Sequence, residues 1–142
     1  MRKMILILAI LAVAACSPTP EEEAQAIKDQ LADHLDCSIS EVEDLLSISV
    51  RENSDGRVYV IDSDMVITDA NFVDAVQIYS GILGCVHRGI ESHEGVVKVG
   101  FTSLWFVMDL EDVHALSDLA ESGCSGSEFM DFMEESIEFI DR

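Results

Sequence analysis

Positive charge is what this chain has least of. Eight Lys and Arg stand against 28 Asp and Glu, a formal net charge of −20. Such a surface repels phosphate, which excludes nucleic acid as a partner, and it repels anionic lipid head groups as well. No apolar run approaches the roughly 20 residues that a membrane-crossing helix needs. There is no Cys-x-x-Cys, so dithiol exchange of the thioredoxin kind is not expected. There is no His-Glu-x-x-His and no i, i+4 histidine pair, so no zinc site is expected either, and His34, His93 and His114 read as scattered. A nucleophile turn of the Gly-x-Ser-x-Gly type, a phosphate-cradling glycine loop and a dinucleotide fingerprint are all missing. The sequence therefore predicts no catalytic residue, no metal and no cofactor.

What is present begins at the first residue. Arg2 and Lys3 precede an uninterrupted apolar run from Met4 to Ala15, and Cys16 follows. The run is too short to span a bilayer but has the length of a signal-peptide hydrophobic region, with its cations on the expected side. Val13-Ala14-Ala15-Cys16 resembles the lipobox of bacterial lipoproteins: an aliphatic residue, two small residues, then cysteine. The resemblance covers residues 1–16 and implies that 1–15 are removed and that Cys16 carries the lipid; residues 16–20 then read as a short link to a single domain over 21–142. It implies an exported protein held on a membrane by its lipid. Ser17, where an inner-membrane retention signal tends to have Asp, favours the outer membrane, facing the periplasm, in an organism that has one. Ala12-Val13-Ala14 also fits ordinary secretory cleavage, which would release a soluble protein.

Loss of the leader leaves six basic residues against 28 acidic ones, a formal charge of −22. The lipid must then supply all the membrane affinity, since two or three acyl chains anchor firmly and the protein surface opposes contact. The remaining 127 residues suffice for one domain that needs neither metal nor disulfide to fold.

Thr19-Pro20-Glu21-Glu22 reads as a helix start, followed by Ala24, Ile27, Leu31 and Leu35 at helical spacing. Leu46 to Val50 alternates, and Arg57 to Ile67 is rich in β-branched residues; Asn53-Ser54-Asp55-Gly56 between them predicts a hairpin. Asn71 to Val86, capped by Thr68 or Asp69, is apolar around most of its circumference and reads as the central helix. Val96 to Met108 is β, either one strand bent at Gly100 or two hinged at Thr102-Ser103. Asp109 caps a helix carrying Leu110, Val113, Leu116 and Leu119, closed near Gly123. A last helix runs from Ser127 with Phe129, Phe132 or Met133, Ile137 and Ile140 on one face. The order α-ββ-α-β(β)-α-α predicts an α+β fold: a small antiparallel sheet of three to four strands with helices mainly on one face.

Cys37, Cys85 and Cys124 allow at most one disulfide, with one thiol left over. Cys85 and His87, two apart on a helix, point about 200° apart and should not meet as nucleophile and base. Trp105 and Phe106 must face opposite sides of their sheet, which makes Trp105 a candidate interaction patch. The expected function is non-enzymatic: a lipid-anchored envelope protein that binds another protein, in its sharpest form an inhibitor or immunity protein steered onto a basic partner by charge. Two rival readings remain open, a thiol-dependent enzyme using Cys85 or Cys124, and a weak divalent-cation site at Asp62, Asp64 and Asp69.

Overall fold

The computed structural model describes residues 17–142, so the lipobox and Cys16 lie outside the described residues. Ten elements follow in the order α1 (Pro20–Leu35), α2 (Ile39–Leu45), β1 (Leu46–Asn53), β2 (Gly56–Ser63), α3 (Phe72–Gly89), β3 (Val96–Gly100), β4 (Leu104–Asp109), α4 (Leu110–Glu121), α5 (Gly126–Ser136) and β5 (Glu138–Asp141). The fold is α+β. Its single sheet has strand order β1-β2-β3-β4-β5.

Three expectations are corrected. The sheet has five strands and is mixed, because β2 and β3 pair in parallel while the other neighbours are antiparallel. The reason is α3, whose 18 residues extend about 27 Å. It carries the chain back to the end of the sheet where β2 began, so β3 must run beside β2 in the same sense. Second, the last helix stops at Ser136, and Glu138–Asp141 pairs with β4 as an edge strand; Ile140 lies opposite Trp105 and Phe139 opposite Phe106. Third, a short helix, α2, stands between α1 and β1. Its capping box joins the Ser38 side chain to the Glu41 backbone and the Glu41 carboxylate to the Ser38 backbone, which holds the carboxyl below its usual range.

Smaller differences have local causes. Strand β2 ends at Ser63, not Ile67, where the Ser63 hydroxyl accepts from the Met65 backbone. Neither Thr68 nor Asp69 caps α3: Asn71 is the N-cap, and its side chain instead braces the preceding loop, accepting from the Thr68 N–H and donating to the Val66 carbonyl, both at 2.7 Å. Residues 96–108 form two strands, turning at 101–103. Thr19 caps α1 as its sequence indicates, accepting from the Glu22 backbone. The hairpin closes with Asn53 opposite Gly56, and Gly56 has φ +126°, a conformation closed to most side chains.

One core holds these elements together. The inward positions of the sheet, Tyr59, Ile61, Val97, Val99, Phe106 and Met108, are buried against Ile27 and Leu31 of α1, Ile82 and Leu83 of α3, Val113 and Leu116 of α4 and Met133 of α5. The alternate positions, including Val60, Lys98, Trp105 and Val107, lie outside that core, so the helices cover one face and leave the other open.

Candidate functional site

At the end of the sheet where β2 and β3 begin, Arg57 ties the start of the domain to the hairpin. Its Nη1 donates to the Pro18 carbonyl at 2.8 Å and to Glu23, and its Nε donates to Glu52 at 3.0 Å. Glu23, 4% exposed, also accepts from the Tyr59 hydroxyl at 3.0 and 3.1 Å. The Glu23 carboxylate holds the Arg57 guanidinium above its ordinary range, and burial beside that carboxylate pushes the Tyr59 phenol up. Pro18 is thus clamped two positions after Cys16. Around the clamp Glu22, Glu91 and Glu94 line an open depression of about 620 Å³.

Three of the four histidines, far apart in sequence, meet at this same end. His87 near the end of α3 and His114 of α4 approach Nδ1 to Nδ1 at 2.7 Å, and the His93 ring stacks at a tilt on His114 with centroids 4.5 Å apart. His114 Nε2 lies 2.7 Å from the Ser92 carbonyl, which can only accept. That assigns the protons: Nε2 of His114 carries one, its Nδ1 is bare, and His87 Nδ1 donates to it. Burial holds the His114 pKa below its ordinary value, reinforced by the charges of His93 and His87. A 2.7 Å contact fits one shared proton and is too short for a metal bridging both nitrogens at about 2.0–2.1 Å each in tetrahedral geometry. Among the described residues no group of three His, Cys, Asp or Glu is arranged to hold a metal ion. The cluster escaped the sequence reading because its members share no local spacing.

The remaining sequence candidates are dispersed. Cys37, Cys85 and Cys124 are all free thiols; Cys85 is buried and the other two are half-buried. Burial raises the Cys85 pKa, and its sulfur accepts from Arg88 Nη2 at 3.3 Å, while His87 on the same helix turns away to His114. Asp62 is taken by Arg142 through two parallel 2.6 Å hydrogen bonds, so its carboxylate is not open to a cation, while Asp64 and Asp69 are exposed. Phe106 enters the core, and Trp105 lies on the open face. Its ring packs over Gly100, where an added Cβ would fall 2.5 Å from it, with Lys98 and Arg142 over the indole at 5.2 and 4.5 Å.

The helical side, by contrast, leaves a gap. Between the first turns of α3, helix α5 and the edge strand β5 lies a cavity of about 220 Å³, lined by Val76, Tyr79, Phe106, Met133, Ile137 and Phe139 among others. It joins a shallower trough of about 470 Å³ along α3 and α5. The rings of Tyr79, Phe106 and Phe139 form an edge-to-face row from core to surface, with centroids 5.1 and 4.9 Å apart. The Tyr79 hydroxyl is the one buried side-chain polar atom among the described residues that lacks a hydrogen-bond partner, and burial raises its pKa. The gap arises because the chain leaves α5 early to form β5.

No protein family, curated protein or solved structure matches the chain.

Proposed function

We infer that the chain is an exported lipoprotein, anchored through lipid on Cys16, whose acidic domain works at the membrane surface as a non-enzymatic binder of a basic protein. In a double-membraned organism it sits on the outer membrane facing the periplasm. The observation that carries this reading is the Arg57 clamp on Pro18. Only Ser17 separates the clamped residue from Cys16, so a lipid there would hold one chosen end of the domain, the end bearing the clamp and the histidine cluster, against the bilayer. A surface of charge −22 would not stay there unaided.

The observations lend the rival chemistries little support. A nucleophilic thiol needs exposure and a lowered pKa, and Cys85 has neither. A cation using Asp62 on the aspartate edge would have to displace Arg142.

Intact-mass measurement of the protein extracted from membranes tests the anchor. The expected mass is that of residues 16–142 plus a diacylglyceryl group, usually with a third acyl chain. Cleavage after Ala14 without added lipid would overturn the reading.

A further inference from the structure

The binding reading leaves open where the partner sits, and the gap between α3, α5 and β5 answers that. It is built chiefly from two segments, residues 64–86 and 125–141, with Phe106 of β4 on its floor, and those two segments carry nine carboxylates and no Lys, Arg or His. Its floor and lips are nonetheless apolar: Val73 is 69% exposed, Phe139 54%, Phe72 47% and Met130 38%. Single exposed apolar residues are ordinary on protein surfaces; four lining one cavity and the trough that joins it are not.

Tyr79 closes the floor of the cavity and is wholly buried. Long side chains on a helix lean toward its N-terminus, which lays Tyr79 over Val76 and Phe72, fellow lining residues of the cavity. Its hydroxyl is buried with no partner, at a cost of about 1–3 kcal/mol. The space exceeds the roughly 150 Å³ that suffices for benzene and so admits a large aromatic side chain.

We propose that this cleft docks a cationic amphipathic helix of the partner, with one aromatic side chain, a tryptophan or tyrosine, seated in the cavity. The trough follows α3 from Phe72 to Ser80, about 12 Å, the length of two turns of a partner helix. Met130 and Met133 supply adaptable walls, and the surrounding carboxylates pair with the cationic flank of the helix. A second copy of this chain is disfavoured, because it would bring the same carboxylates face to face. This inference rests on the reading of the domain as a binder of basic protein and gives it a site.

The test uses the full lipidated chain in phosphatidylcholine nanodiscs, with empty nanodiscs subtracted. The probe is a labelled Lys/Leu amphipathic helical peptide carrying one central Trp on its apolar face, followed by fluorescence anisotropy. A sequence-shuffled peptide of equal charge and a Trp→Ala peptide are the comparisons. Both should bind at least tenfold more weakly than the probe. Val73→Asp and Met130→Glu, at exposed positions that the fold tolerates, each add negative charge while spoiling the apolar seat. Docking in the cleft predicts at least a tenfold loss of affinity for each, whereas attraction by charge alone predicts unchanged or tighter binding. Equal binding of the shuffled peptide, or indifference to Val73→Asp and Met130→Glu, overturns the cleft as the site. Those results would leave the lipid anchor and a charge-steered partner elsewhere on the surface standing, since the intact mass decides the anchor separately.

Discussion

Removal of the Glu23 carboxylate should be among the costliest single changes on the helical side. Its side chain is 5% exposed, and both oxygens are engaged by Tyr59 and Arg57. Glu23→Ala strands the buried Tyr59 hydroxyl, a loss of about 1–3 kcal/mol. It also takes from Arg57 its most buried counter-charge. Arg57 keeps Glu52 and the Pro18 carbonyl, and its side chain is 22% exposed, so this second loss is about 1 kcal/mol, well below the 3–5 of a fully buried pair. The total of about 2–4 kcal/mol corresponds to a melting temperature lower by roughly 8–15 °C for a domain of this size. Urea unfolding at pH 7 should show a lower midpoint with an unchanged slope. Glu23→Gln, which still accepts from Tyr59, should cost about half as much. Tyr59→Phe placed in the Glu23→Ala background should be nearly free, because the stranded hydroxyl goes with it, giving a coupling of about 1–2 kcal/mol. A loss below about 0.5 kcal/mol for Glu23→Ala, or simple additivity of the two changes, would refute the clamp as described.

Three further outcomes are expected. Gly100→Ala must push the indole of Trp105 off the sheet, for an added Cβ meets it at 2.5 Å and Asp62 at 2.7 Å; stability should fall by about 1–3 kcal/mol and the emission of the single tryptophan should shift red, and an unmoved spectrum would contradict this packing. Burial, with His93 and His87 beside it and against the pull of Asp118, holds His114 below its ordinary pKa of 6.5, so the unfolded chain takes up the proton first and stability falls as pH drops through about 6.5, by at most about 1.4 kcal/mol per pH unit for one proton; His114→Gln should flatten that part of the profile between pH 7.5 and 5.5, and an identical slope in the variant would count against the assignment. Cys85, buried and held protonated, should react with a thiol reagent only after unfolding, whereas Cys37 and Cys124 react in the native state; equal native rates for all three would show the α3 core to be open.

The legible parts of the fold were those governed by neighbours in sequence. Thr19-Pro20 starting α1, the Asn53–Gly56 hairpin, the apolar α3 and the opposite facing of Trp105 and Phe106 all follow from capping, turn chemistry and two simple periodicities. The parallel β2–β3 pair could have been deduced from the length of α3 alone, but strand patterns carry no sense of direction. The end of α5 was misread because Ile137 and Ile140 fit a helical face as well as they fit a strand; an edge strand of four residues has too little pattern to compete. The candidate site was hardest to see. The histidine cluster joins residues 27 apart in one pair, and the cleft is defined by where two segments fail to meet, which no local spacing encodes. That Trp105 packs under Arg142 depends on a contact spanning 80 residues between Asp62 and the last residue.

The parallel crossover also sets the order in which this protein can become folded. As the chain emerges from its N-terminus, the β1–β2 hairpin closes a two-residue turn and forms within microseconds. Strand β2 then waits with one edge unpaired, because β3 cannot join it until the whole of α3 has appeared and swung back. Such non-local pairing is slow, and an unpaired apolar edge invites pairing with another chain. The sequence β2 offers in that interval, Val58-Tyr59-Val60-Ile61, is strongly β-forming and uncharged until Asp62. Newly made chains therefore pass through a sticky stage, and the high acidity that burdens the finished surface protects them there by mutual repulsion.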